Sequence, residues 1–173
     1  VTKVDGPGHI RLLSEAIDEL ESERGMDVGH TKLIAMVETA AGFLRIENIA
    51  KAHPRVVAMS LGSEDFATSI GTDPVAEVLT YPKQQGIIAA RAAGIIPLGL
   101  IGTVADYQDI DAMRETIRRS RRFGFQGASC VHPKIVGLLN EEFRPTPQEV
   151  ENAKNTILYK NNRINSGLSN NII

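Results

Sequence analysis

The chain has 173 residues, 42% of them apolar and 23% charged, with a net charge of −2. That length suits one domain, the composition excludes an intrinsically disordered chain, and the near-neutral charge argues against nucleic acid as a partner. The longest apolar stretch, around residues 86–102, is broken by Arg91 and Pro97 and falls short of the about 20 residues that span a bilayer.

In chain order, Val1–Val4 reads as the tail of a strand and Gly6-Pro7-Gly8 as a turn. Ile10, Leu13, Ile17 and Leu20 then recur at helical spacing, which predicts an amphipathic helix over about 9–24, punctuated by Gly25 and Gly29. Residues 31–37 form the first complete strand, and Phe43, Ile46, Ile49 and Ala50 suggest a short helix before His53-Pro54. Residues 56–61 form the next strand, 86–93 an alanine-rich helix, and 95–101 a strand interrupted by Pro97 and Gly99. A helix over about 109–122 carries Ile110, Met113 and Ile117. Residues 125–131 are expected to be the last strand, Pro133 opens a short helix through Leu139, and another helix begins near Gln148.

Short strands apolar on both faces and separated by helices are the pattern of a parallel sheet under helices. A doubly wound sheet and a (β/α)8 barrel both fit. No G-x-G-x-x-G follows a strand, which weighs against a dinucleotide fold. A complete barrel takes about 250 residues, so this chain would supply part of one. The expected organisation is barrel sequence over residues 1–160 and an irregular, Asn-rich tail over 161–173.

Ligands of parallel α/β folds collect at the carboxyl ends of the strands, and two strands here end in carboxylates. Glu38 closes the run Lys32–Val37, and Glu64 and Asp65 follow Val56–Leu61. Such a pair suits Mg²⁺, a hard cation that takes one or two carboxylates and fills its octahedron with water and substrate oxygens. No Cys/His cluster exists for zinc. The structural alternative for Asp65 is an N-cap on the next helix; for Glu38 it is weaker, because a carboxylate buried beside an apolar strand needs a partner. Glu64 reads as a loop or solvent-facing residue. His132, also at a strand end, is more often a packed, hydrogen-bonded residue than a catalyst. His9, His30 and His53 carry no motif, and Asp106 reads as a helix cap.

Cys130, the single cysteine, excludes an intrachain disulfide, fits a reducing compartment and has the neighbours of a core thiol. Val1–Ile10 contains Lys3 and Asp5 and does not read as a secretory signal, so the expectation is a cytoplasmic protein. Arg118, Arg119, Arg121 and Arg122, with Glu115 one turn before them, form either a solvated helix face or an anion-attracting patch.

Three stretches carry a family likeness: KVDGPGHIRLLSEAIDELE, IAMVETAAGFLRIENIAKAHPRVVAMSLGSEDFATSIGT and GFQGASCVHPKIVGLLNEEFRPTPQEVENAK. In order and spacing, over about residues 3–155, they resemble the citrate lyase beta subunit group of the HpcH/HpaI aldolase superfamily. V-E-T-A and G-S-E-D-F-A together are fairly specific. Glu64 stands where the pyruvate aldolase branch usually has proline, so the likeness is to the citrate lyase and malyl-CoA lyase branch.

The resemblance implies a partial (β/α)8 barrel, strands about 4 to 8, binding Mg²⁺ through Glu38 and Asp65. Gly62, Ser63 and Glu64 would bind substrate carboxylate through backbone N–H groups. It implies a lyase that cleaves a citryl-, malyl- or citramalyl-CoA type 3-hydroxyacyl thioester to acetyl-CoA and a 2-oxo acid, assembled as a trimer or hexamer without membrane or nucleic acid. The family's substrate-binding arginine belongs to strands that would precede Val1. INSGLSNNII does not match the family's aspartate-bearing lid. The alternatives are a truncated, non-catalytic chain that keeps the metal pair, and a class II pyruvate-type aldolase acting on free acids.

Overall fold

The computed structural model describes residues 1–102 and 109–165. Asp106 therefore lies outside the described residues. Helix α1 spans Pro7–Glu23 and starts earlier than apolar spacing suggested, because proline's fixed φ suits the first helical position. Gly6-Pro7-Gly8 is thus a helix start rather than a free turn. Ile10 and Ser14 are buried on its inner face, whereas Leu20 is 48% exposed.

Strand β1 is Leu33–Val37, followed by the short helices α2 (Ala40–Phe43) and α3 (Ile46–Ala50). Strand β2 covers Val56–Leu61, as its apolar run predicted. Helix α4 (Ser63–Ser69) follows directly. Helix α5 (Ala76–Ala92) begins ten residues before the alanine-rich segment and carries Pro82 inside it. Its early turns escape an apolar pattern because the buried face, Leu79, Lys83, Ile87 and Ala90, includes a lysine.

Strand β3 is only Ile96–Pro97. Pro97 has no N–H to give a ladder, and Gly99 at φ +149 leaves the geometry of an L-residue strand. Residues 125–131 do not form the expected strand; Gly127 makes an isolated parallel bridge to Leu98, and the Gly99 N–H donates to Gly127 O at 2.9 Å. Helices α6 (Ile110–Phe123) and α7 (Val136–Glu142) flank this stretch, with a 3-10 turn at Pro133–Ile135 leading into α7.

The three strands form one parallel sheet in the order β1-β2-β3. Its register places Ala35, Met59 and Pro97 in one row and Ile34, Ala58 and Ile96 in the next. Partners in register share a face, and the first row is buried. In the second, Ala58 is buried while Ile34 and Ile96 stand 46% and 44% exposed. One face of the sheet is therefore covered and the other presents apolar side chains. Residues 1–4 run beside β1 without forming a named strand: Met36 N–H donates to Val1 O (2.8 Å) and Val4 N–H to Met36 O (3.1 Å).

Packing divides the chain into two compact units, Val1–Phe143 and Arg144–Ile173. The first holds a core of Ile10, Leu33, Val37, Ile49, Val56 and Met59, and a second cluster where Leu100 meets Met113, Ile117 and Leu139. The second unit contains α8 (Pro147–Asn165), which extends into the stretch expected to be irregular. Its start is a reciprocal cap: Thr146 N–H donates to Glu149 Oε2 (2.7 Å) and Glu149 N–H to Thr146 Oγ1 (3.2 Å).

Candidate active site

β1 and β2 run parallel, so their carboxyl ends lie side by side and deliver Glu38 and the Gly62–Asp65 turn to one edge of the sheet. Gly62 N–H donates to Val37 O at 3.0 Å, carrying the pairing one residue beyond Leu61. Gly62 then caps α4, and Asp65 sits in that helix's first turn. Asp65 is therefore not the N-cap, although an acidic first turn still favours the helix dipole.

Glu38 is buried, 8% exposed, and its Oε2 accepts a hydrogen bond from the Lys3 N–H at 2.6 Å. Its other flank rests on Gly62. A Cβ there would meet Glu38 Cγ at 2.7 Å and Oε1 at 2.9 Å, so only glycine admits the carboxylate. Asp65 is half-exposed, and its Oδ2 lies 3.2 Å from Lys3 Nζ. One residue thus touches both acids. Lys3 has φ +50 and is the one non-glycine residue at positive φ among the described residues. Apolar periodicity and motif spacing do not mark it. The available signal was its position at the end of the Val1–Val4 fragment, level with the other strand ends.

A second unanticipated cation interacts electrostatically with Glu64. Lys83 on α5 is 3% exposed and donates to the carbonyls of Leu100 (2.6 Å) and Gly102 (2.6 Å), at the far end of the β3 segment. Burial pushes its ammonium down to about 8, and Glu64 acts in the opposite direction.

The remaining candidates are dispersed. His132 is exposed and caps the turn before α7, its Nδ1 accepting from Lys134 N–H at 3.2 Å. His53 Nδ1 accepts from Arg55 N–H at 3.2 Å. Cys130 is partly buried against the Leu100 cluster, in keeping with a core thiol. The basic run on α6 is paired: Arg118 with Glu142 (2.7 Å), Arg122 with Glu115 (2.7 Å), and Arg119 stacked over Phe123. That favours the solvated-face reading. A cleft of about 600 Å³ opens between Lys51–Val57 and Ala93–Ile96, at the amino ends of β2 and β3 and away from the carboxylates.

Arg55 anchors that far end. It is 1% exposed, donates to Asp18 Oδ1 (3.0 Å), Glu21 Oε1 (3.0 Å) and Thr31 O (2.8 Å), and holds the Glu21 carboxyl well below the usual carboxylate range. Glu21 also receives the N–H groups of Gly29 and Thr31. Every partner is satisfied locally, which marks a structural cluster.

No group of three or more His, Cys, Asp and Glu side chains gathers among the described residues. A cation site here would rest on Glu38 and Asp65, two hard oxygen donors. That set fits Mg²⁺, which binds through one or two carboxylates and keeps its waters, and does not fit zinc. The presence of a cationic side chain against Asp65 shows that positive charge is accommodated at this point.

Comparison with known proteins converges. The sequence profile described as HpcH/HpaI aldolase/citrate lyase matches residues 1–133. The chain is 31% identical to the citrate lyase subunit beta of Leuconostoc mesenteroides subsp. cremoris, over 90% of this chain and 51% of that protein. It is 34% identical to an L-malyl-CoA/beta-methylmalyl-CoA lyase of Cereibacter sphaeroides, over 80% of this chain and 50% of that one. Its fold is similar to that of a citrate lyase beta subunit from M. tuberculosis complexed with oxaloacetate and magnesium, with TM-score 0.67, 23% identity, and coverage of 84% of this chain and 60% of the other. The chain spans about half the length of the curated relatives it matches.

Proposed function

The chain belongs to the HpcH/HpaI aldolase/citrate lyase family, and on that premise we propose that it forms the cation-binding part of a Mg²⁺-dependent carbon–carbon lyase with a (β/α)8 barrel. The observation that carries the reading is that Glu38 and Asp65 follow the carboxyl ends of adjacent parallel strands and that both contact Lys3. The apolar row Ile34 and Ile96, on the face away from the helices, supports a sheet that continues into the rest of a barrel and is covered there.

Each residue has a definite part. Glu38, wedged between the Lys3 N–H and Gly62, offers its carboxylate in one orientation. Asp65, half-exposed on the first turn of α4, supplies the second ligand from the solvent side. The backbone N–H groups of Ser63 and Glu64, in the first turn of α4, receive the substrate carboxylate. Gly62 shapes this loop, its own N–H being taken by Val37 O. When bound, the cation supplies Lewis-acid stabilisation of the substrate's hydroxyl oxygen as the carbon–carbon bond breaks.

The substrate is a 3-hydroxyacyl thioester of the citryl-, malyl- or citramalyl-CoA type, released as acetyl-CoA and a 2-oxo acid. Glu64 in front of Asp65 supports this branch over aldolases of free hydroxy-oxo acids. The test is a coupled assay on the complete protein that contains this chain. Acetyl-CoA release from one of the three thioesters, only with Mg²⁺, is expected. Turnover of free 4-hydroxy-2-oxo acids instead would move the activity to the aldolase class, and no turnover by a folded protein would leave a non-catalytic metal-binding chain.

A further inference from the structure

Lys3 holds an uncommon backbone conformation, φ +50, and contacts both acids. For a non-glycine residue the left-handed region is unfavourable, and the surrounding structure must impose it. Here the constraint is visible on both sides: Val1 and Val4 are each hydrogen-bonded to the β1 backbone, so the chain between them bulges. That bulge turns the Lys3 N–H onto Glu38 Oε2 at 2.6 Å and sends its side chain to Asp65 Oδ2 at 3.2 Å. An extended Lys3 would lose this double contact.

We infer that Lys3 is a positioning residue and a tethered cation of the metal site: its N–H fixes Glu38, and its ammonium occupies Asp65 until a divalent cation displaces it. This rests on the reading of Glu38 and Asp65 as the cation's ligands. The ammonium is suited to displacement because it is two-thirds exposed, on a flexible stem, and faces a carboxylate that is itself half in water. Such a pair is weak enough to break. The N–H contact differs in kind. It belongs to the backbone and stays with buried Glu38 whether or not the ammonium has left. The two halves of Lys3 thus have separable effects on cation binding. The charge opposes the cation by competition for Asp65 and by like-charge repulsion, whereas the backbone favours it by holding Glu38 in place.

The experiment is a Mn²⁺ titration followed by electron paramagnetic resonance, at low salt and without substrate, on the complete protein and its Lys3→Met, Lys3→Arg and Lys3→Gly variants. Lys3→Met removes only the charge, and its Kd should fall by about three- to tenfold, while Lys3→Arg should bind as the parent does. Lys3→Gly relieves the positive φ while keeping the N–H, so it should fold at least as well as the parent and also bind more tightly. With Asp65→Asn as the control that abolishes binding, unchanged or weaker binding in both Lys3→Met and Lys3→Gly overturns the role of Lys3 and leaves the metal site standing. Absence of Mn²⁺ binding in the parent and all variants overturns the metal site, and the inference with it.

Discussion

The side chain of Glu38 packs against Gly62, so close that a single methyl group on Gly62 would stand 2.7 Å from Glu38 Cγ and 2.9 Å from Oε1. The contact joins the ends of two neighbouring strands, and it makes a glycine part of the site through what it lacks. Gly62→Ala must displace Glu38 or the loop. It is expected to cost about 1–3 kcal/mol, the usual range for overpacking a filled position. On the proposed reading of Glu38 and Asp65 as ligands of one cation, Mn²⁺ affinity should fall at least about tenfold, because Glu38 is displaced. A thermal melt and the same Mn²⁺ titration check both.

Glu38→Gln and Asp65→Asn separate function from stability. Glutamine keeps an oxygen to accept the Lys3 N–H, and Asp65 is half-exposed, so each variant should melt within about 0.5–1 kcal/mol of the parent. In the complete protein, both should lose about 100-fold or more of the proposed Mg²⁺-dependent thioester cleavage, the scale seen when one stabiliser of developing charge is removed. Wild-type rates in either variant would remove that residue from the site.

The Arg55 cluster predicts an acid-sensitive fold. Glu21 titrates well below its ordinary value of about 4.5, chiefly because Arg55 donates to it. A lowered carboxylate makes its full contribution above that ordinary value and loses it as the pH falls further, because the unfolded chain takes up the proton first. Urea midpoints should therefore drop steeply below about pH 4.5, and Glu21→Gln should flatten that slope while lowering stability at pH 7.

Lys83 works in the opposite pH range. Its ammonium, lowered by burial from 10.5 to about 8, takes up a proton in the unfolded chain before it does in the fold. Stability is thus greatest above 10.5 and declines as the pH falls towards 8, after which the effect is constant. Relative to Lys83→Met, the parent should gain about 1–3 kcal/mol between pH 8 and pH 10.5. Paired denaturant titrations at the two pH values measure it.

The exposed row on the sheet predicts self-association whenever the chain of residues 1–173 is produced alone. Light scattering should show more than monomer, and Ile34→Thr with Ile96→Thr should reduce it. A cooperatively melting monomer would count against a sheet that continues into a barrel.

Much of the fold was legible because periodicity survives in one dimension. β2 and α6 matched their patterns closely, since a buried strand and an amphipathic helix write their burial directly into residue order. β3 and the stretch 125–131 did not, because apolar content says nothing of Pro97's missing donor or Gly99's conformation. The first turns of α5 were missed for the reverse reason, a lysine on the buried face.

By itself, the sequence determined the strand-ending carboxylates, the family likeness and the hard-oxygen character of the candidate site, all of which depend on residue type and order. Only the tertiary structure decided that Glu38 leans on Gly62, that Lys3 spans both acids, and that Lys83 holds the carbonyls at the end of the β3 segment. These contacts join residues 17 to 62 positions apart in the chain. Their geometry follows from parallel register and from a backbone bulge, neither of which any single residue encodes.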